Sequence, residues 1–404
     1  MTIDLKHDLI QSVEIVQVEK HKFALHGNDK IFFVGEILFD IFRLRKEGNE
    51  IYQIHEKLQE KYNVLLSTDK ISEVLEQNLS KIFKESPLKN PESKSTYIYG
   101  QVRVIPEHIL STISNTLQIL FNRYVFATIL ILSSYFTFLL VNTIRDKGLF
   151  NSHITLKDGI ILFLVSYIFL FFVSIFHELG HSSAAARFGV RSKEVGFGFY
   201  LIFPVLYTDV TKIWLLSRYK RIVVNVGGIY FQMIVNIVLY FMFWFFKEYQ
   251  NITSALFLTN STLALYSLNP IMRNDGYWIY SDFFDIPNLS KTAFNYPVRA
   301  YQYLKGKKPT FHTEGIISRS QKIAIFVYAL VMYTLLFLLP IGFTNVSIYN
   351  FKEMAKFIYN YNHLKGIELT EQILHISKLM LFYSLAAYLV QRMAKGMVEK
   401  IKGL

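Results

Sequence analysis

Cysteine is absent from all 404 residues, so disulfides are excluded and any metal must be held by nitrogen and oxygen ligands. Charge is missing from several runs of about 20 residues, long enough to cross the roughly 30 Å hydrocarbon core of a bilayer. Acidic and basic residues crowd instead into residues 1–95 and a few short loops. With apolar residues at 52%, this distribution excludes a purely soluble chain. An apolar signal core is also missing near the N-terminus, where Asp4, Lys6 and Asp8 interrupt it, so no cleavable signal peptide is expected. The net charge of +12 raises nucleic acid as a partner. The basic residues flank the apolar runs, however, and that pattern points to membrane loops.

Six crossings are expected, near residues 124–144, 159–181, 222–246, 253–274, 322–345 and 371–391. Alternating the loops between the two sides puts 18 Lys and Arg on one side and 7 on the other. The richer side is expected to be cytoplasmic, with both termini on it, in the cell (inner) membrane. "VGFGFYLIFPVLYTDV", residues 195–210, is too short to span, and Gly196, Gly198 and Pro204 would spoil a helix. A re-entrant hairpin is expected there, because backbone at membrane depth must be paired or buried in protein.

The second crossing ends in "HELGH", residues 177–181. His177 and His181 are four apart, which on a helix puts both imidazoles on one face within reach of one ion. Glu178 stands beside them, suited to take a proton from an attacking water. Catalytic zinc takes three protein ligands and keeps one position open, so a third ligand is needed. The best candidate is Asp275, in "LNPIMRNDGYW" at the cytosolic end of the fourth crossing. Gly276 permits a close turn there, and Asn269 and Pro270 break the helix before it. The alternative is Asp209, in "LYTDVTK". Asp282 and Asp285 read as ordinary interfacial acids.

"HELGH" on one transmembrane helix with "NPIMRNDG" on a later one resembles the site-2 protease family of intramembrane zinc metalloproteases. The resemblance implies that His177, His181 and Asp275 bind Zn2+, that Glu178 is the general base, and that Asn269 and Pro270 help position substrate. "FPVLYTDVTKIWLLSRYKR" running on to "VVNVGG" is similar to a bacterial branch of peptide zinc metalloproteases. That likeness implies a small, ribosomally made peptide precursor as substrate and a peptide exporter or modifying enzyme as partner. It covers about residues 120–290. Many relatives carry a second proline and a leucine before the aspartate, where this chain has Met272, Arg273 and Asn274.

Residues 1–84 are expected to form a separate cytosolic module. "SVEIVQVEKHKFALHG" and "DKIFFVG" suggest two strands around "HGND", and three amphipathic segments follow. A hairpin followed by three short helices is a small winged-helix-like pattern, and its order resembles the PqqD-like domains that recognise precursor peptides. The third helix carries Asp69, Glu73 and Glu76 against Lys70 and Lys81, which gives no basic face for nucleic acid. The expected fold is therefore mainly α: a polytopic membrane protein of about six transmembrane helices with a re-entrant hairpin over 121–404. A linker and interfacial helix over 85–120 and an α+β module over 1–84 precede it. The expected function is a membrane-embedded zinc endopeptidase linked to peptide maturation or export. The alternatives are cleavage of a membrane-anchored regulator within the lipid bilayer, or a non-catalytic peptide-binding scaffold.

Overall fold

A computed structural model describes residues 9–20, 22–28, 30–63, 66–83, 98–148, 156–200, 203–286, 288–295 and 318–360, with Lys305 and scattered positions from 366 to 391. Two compact units divide at residues 287 and 288. Residues 85–97 of the expected linker and scattered positions of the sixth crossing lie outside the described residues.

The N-terminal module opens with strands β1 (Glu14–Glu19), β2 (Lys22–Gly27) and β3 (Lys30–Val34), an antiparallel meander in that order. The first expected strand is thus two. Glu19 pairs with Lys22, and the sequence around them has none of the Gly, Asn or Pro that would have announced a break between two strands. Helices α1 (Glu36–Lys46), α2 (Ile51–Tyr62) and α3 (Thr68–Phe83) follow. Their apolar stripes close one core around Val13, Leu25, Phe42, Ile54, Ile71 and Leu75. Glu50 caps α2 through a capping box with Gln53. Asp40 is buried on α1, where it meets Lys61, Tyr62 and Arg43.

Strand β4 (Ile98–Pro106) was not expected. It forms a second antiparallel sheet, β4-β5-β6, with β5 (Glu194–Tyr200) and β6 (Phe203–Thr208). The chain at 195–210 is therefore a β-hairpin, pairing Val195 with Thr208 and Tyr200 with Phe203, which satisfies its backbone as the two glycines and the proline require. After β4 come α4 (Glu107–Leu117) and α5 (Arg123–Lys147). Asn122 caps α5 through its side chain, and Gly148 ends it in the left-handed region.

Helices α5, α6 (Leu156–Arg187) and α7 (Arg218–Phe245) are long and apolar enough to cross a membrane. Phe163, Leu164, Tyr167 and Phe172 on α6 all point outward and are more than half exposed. An apolar surface of that extent needs lipid against it, and the chain is an integral membrane protein. The apolar window of α7 is 50% buried, against 11% for α5 and 6% for α6, which makes α7 the central helix. The fourth expected crossing is the shorter α8 (Gln250–Ser267), with Thr253, Ser254 and Asn260 buried in it. Helix α9 (Asp275–Phe283) follows the break at Asn269–Pro270.

In the second unit, α10 (Leu289–Phe294) meets α11 (Arg319–Asn360) through a hydrogen bond from the Tyr333 hydroxyl to the Phe294 carbonyl. Helix α11 runs past the expected end of the fifth crossing at residue 345.

Candidate metal centre

Two helices in backbone contact build the site. A Cβ added at Gly180 on α6 would stand 2.2 Å from the Gly227 carbonyl oxygen on α7, and one at Gly227 would stand 2.6 Å from the Gly180 oxygen. Only hydrogen fits at both positions. This approach brings the Gly228 backbone under the His177 ring. His181 lies one turn further along α6, with ring centroids 4.8 Å apart. The third group arrives from the far side of the cleft. At Gly276 an added Cβ would lie 2.0 Å from the Leu268 carbonyl oxygen, so the chain doubles back tightly after α8 and starts α9 with Asp275 facing the histidines.

The Nε2 atoms of His177 and His181 are 3.2 Å apart. The Asp275 carboxylate places Oδ2 at 3.1 Å from the first and Oδ1 at 3.4 Å from the second. Two imidazole nitrogens and a carboxylate oxygen fit zinc in a chain without cysteine. A tetrahedron with bonds of about 2.05 Å has edges of about 3.3 Å, close to the 3.2 Å between the two Nε2 atoms. Among the described residues no other group of His, Asp and Glu gathers this way.

The far sides of both rings are held. His181 Nδ1 donates to the Val224 carbonyl (2.8 Å) and His177 Nδ1 to Gln232 Oε1 (3.1 Å). Since both partners are acceptors, each Nδ1 carries the proton and each Nε2 offers its lone pair to the centre, the tautomer a metal needs. Gln232 is itself buried. Its backbone oxygen accepts from Asn260, which also reaches Asn236. The Glu178 carboxylate accepts a 2.8 Å hydrogen bond from Thr208, the last residue of β6.

The cluster opens on a cleft of about 710 Å³, lined among others by Glu178, Thr208, Trp214, Asn274 and Trp278. Asn269 is not on its wall; its Oδ1 accepts from the Ile271 amide and shapes the turn before Asp275. Asp209 lines the cleft away from the histidines, with Oδ1 accepting from the amide and hydroxyl of Thr211. Asp285 is paired with Lys22 of the N-terminal module. Asp282 is not an interfacial acid but a buried one, bonded to Arg221 at 2.6 and 2.9 Å. Burial raises its carboxyl, against the pull of Arg221. Tyr207 on β6 is pushed up to about 12, first by burial and then by the charge of Glu194, to which its hydroxyl donates. Sequence reasoning missed Gln232, the Val224 carbonyl, Gly228 and Thr208. The one signal for them was a lone glutamine and a Gly-Gly pair within an apolar run.

Residues 165–389 match the profile of peptidase family M50. The chain belongs to that family, the site-2 proteases. Its metal is zinc, and the His-His-Asp cluster is the set of residues here that fits it. YydH of Bacillus subtilis (strain 168), provisionally named a peptide zinc metalloprotease, is 30% identical over 137 residues, 33% of this chain and 54% of that protein. The chain thus spans about half the length of that relative. No solved structure matches it.

Proposed function

We propose that this protein is a membrane-embedded zinc endopeptidase that hydrolyses a peptide bond in a small, ribosomally made peptide precursor. The observation that carries the reading is the convergence of His177, His181 and Asp275 within 4.8 Å of one another, with Glu178 beside them at the cleft. Zinc bound there supplies a Lewis acid that brings the pKa of water to about 7 in a place where lipid excludes bulk solvent. Glu178 is the general base: it takes the proton of the attacking water and returns it to the leaving amine. Thr208 anchors its carboxylate through the 2.8 Å hydrogen bond. Asn269 acts as a positioning residue, since it shapes the turn that presents Asp275.

A substrate must be extended to react, because the carbonyls of a helix are already bonded. Strand β6 is at the edge of its sheet and ends at Thr208, beside Glu178. A substrate segment laid along it gains main-chain hydrogen bonds on the way to the metal.

Residues 1–84 are proposed as a peptide-recognition module of winged-helix-like, PqqD-like type. Support comes from a groove of about 540 Å³ beside edge strand β1 and α1, lined by Glu14, Arg43, Lys46 and Glu47. Held there, a precursor would reach the cleft at an effective concentration in the millimolar range. The six-crossing topology, the re-entrant placement of the β5–β6 hairpin and cytoplasmic termini in the inner membrane belong to this reading. So does a partner that modifies or exports the same peptide.

The test is metal content of the purified full chain. Wild type and Glu178→Gln should each carry about one zinc. The His177→Ala/His181→Ala double variant should carry none and Asp275→Ala much less. Glu178→Gln should slow cleavage by at least about 100-fold while keeping its metal. A wild type without stoichiometric metal, prepared free of chelators, overturns the reading in favour of a peptide-binding scaffold.

A further inference from the structure

Of the chain's three tryptophans, two meet at the cleft. Trp214 sits in the short helical turn Thr211–Leu215 and Trp278 on α9. Their ring centroids are 5.6 Å apart with the planes at 81°. Both line the cleft and both are only half-buried. Trp278 lies three residues after Asp275, so the two share one face of α9.

Neither indole is loose. The Arg221 guanidinium lies 5.2 Å from the Trp214 ring, and it is fixed in turn by Asp282 and by the Leu216 carbonyl. Tyr277 backs Trp278 edge-on at 4.9 Å. Tryptophans of an interfacial belt face lipid, whereas these face a cavity they share with Thr208, Asn274 and the metal ligands. A fixed, half-exposed aromatic corner in a concave site is where a ligand's apolar group gains most, because its partner surface needs no ordering on binding.

We propose that Trp214 and Trp278 form the wall of a specificity subsite that takes a large apolar or aromatic side chain of the substrate next to the scissile bond. This rests on the proposed function, since it assumes that a peptide is held at the metal. The third tryptophan, Trp244, is 44% exposed near the C-terminal end of α7 and is not part of the cleft wall.

The experiment uses the zinc-loaded full chain in detergent with the hydroxamates of glycine, alanine, leucine and phenylalanine. All four share a metal-binding head, so differences in affinity report the side chain alone. Binding is read by calorimetry and by quenching of tryptophan fluorescence. Leucine and phenylalanine hydroxamates should bind about 10- to 100-fold tighter than glycine hydroxamate. That ratio should fall below about threefold in Trp278→Ala and in Trp214→Ala, stay near wild type in Trp278→Phe, and be unaffected by Trp244→Phe. Zinc content serves as the folding check. If Trp278→Ala loses zinc through its nearness to Asp275, Trp214→Ala carries the test. Equal affinities for all four compounds in wild type overturn the subsite and leave the metal centre standing. A preference that survives in both alanine variants does the same. Failure of the zinc-loaded chain to bind any hydroxamate overturns the subsite together with an open position on the metal, whereas a wild type without zinc overturns the metal reading itself.

Discussion

A single methyl group at Gly228 should weaken metal binding by at least about 100-fold while leaving the fold in place. The Cβ of Gly228→Ala would stand 2.5 Å from both Cε1 and Nε2 of His177. Ordinary carbon contacts begin near 3.5 Å, so the ring must retreat by about 1 Å. Metal ligands tolerate displacements of only about 0.2 Å. Gln232 resists a compensating swing, because it holds Nδ1 from behind at 3.1 Å. His177 is then lost as a ligand. Disturbing a group that merely orients a ligand costs about 10- to 100-fold in metal affinity, so losing the ligand should cost at least about 100-fold, or about 2.7 kcal/mol. Alanine is also a better helix former than glycine by about 1 kcal/mol, which offsets some of the strain in α7. Competition against a chromophoric zinc chelator measures the affinity, and a thermal melt of the apo-protein measures the fold. Gly342→Ala is the control, because a Cβ there meets nothing within 4 Å and should leave zinc binding unchanged. Zinc affinity of Gly228→Ala within threefold of wild type would refute the close-approach argument.

Gln232→Leu removes the acceptor behind His177 with little change of volume, so zinc affinity should fall about 10- to 100-fold with the helix intact; an unchanged affinity would show that the ring needs no outer partner. Deleting residues 1–90 should raise KM for a precursor peptide far more than it lowers kcat, and equal kinetics for the truncated chain would rule out tethering. The N-terminal module should respond to pH at both extremes. Burial pushes the Asp40 carboxyl up, but hydrogen bonds from Lys61 and Tyr62 and the charge of Arg43 outweigh it and hold it below its ordinary value. Its contribution is therefore present above the unfolded value of about 3.9 and lost as pH falls through the lower folded value. Tyr62 is pushed up to about 12, chiefly by burial and then by its bond to Asp40. Stability from this group is complete below the unfolded value of about 10 and drains away as pH rises through the folded one. Amide exchange over residues 36–62 of wild type and Asp40→Asn tests both limbs. An acid limb as steep in the variant as in wild type would exclude Asp40 as its source.

The membrane character, the position of the site on the chain and three convergent ligand candidates were legible because each is a local property. Uncharged runs of helix length mark α5, α6 and α7. The i, i+4 spacing alone puts His177 and His181 on one face. The break at Asn269–Pro270 followed by Asp275–Gly276 announces a turn that carries a carboxylate. The N-terminal helices were readable from their apolar stripes for the same reason.

What escaped depends on groups far apart in sequence. Strand β4 at 98–106 has its partner at 194–200, and nothing in its own residues names that pairing. The sequence already favoured Asp275 over Asp209 as the third member of the cluster, but the distance that brings it to the two histidines is supplied only by the folded chain. Gln232 looked like one polar residue in an apolar helix until α7 was packed on α6 with two glycines at the contact. Asp282 looked like a surface acid until Arg221, 61 residues earlier, was folded against it. Spacing along a helix sets which side chains share a face. Which face meets which, at what distance, is set by packing between helices, and here the absence of a Cβ at Gly180, Gly227 and Gly228 lets α7 approach α6 closely enough to fix His177.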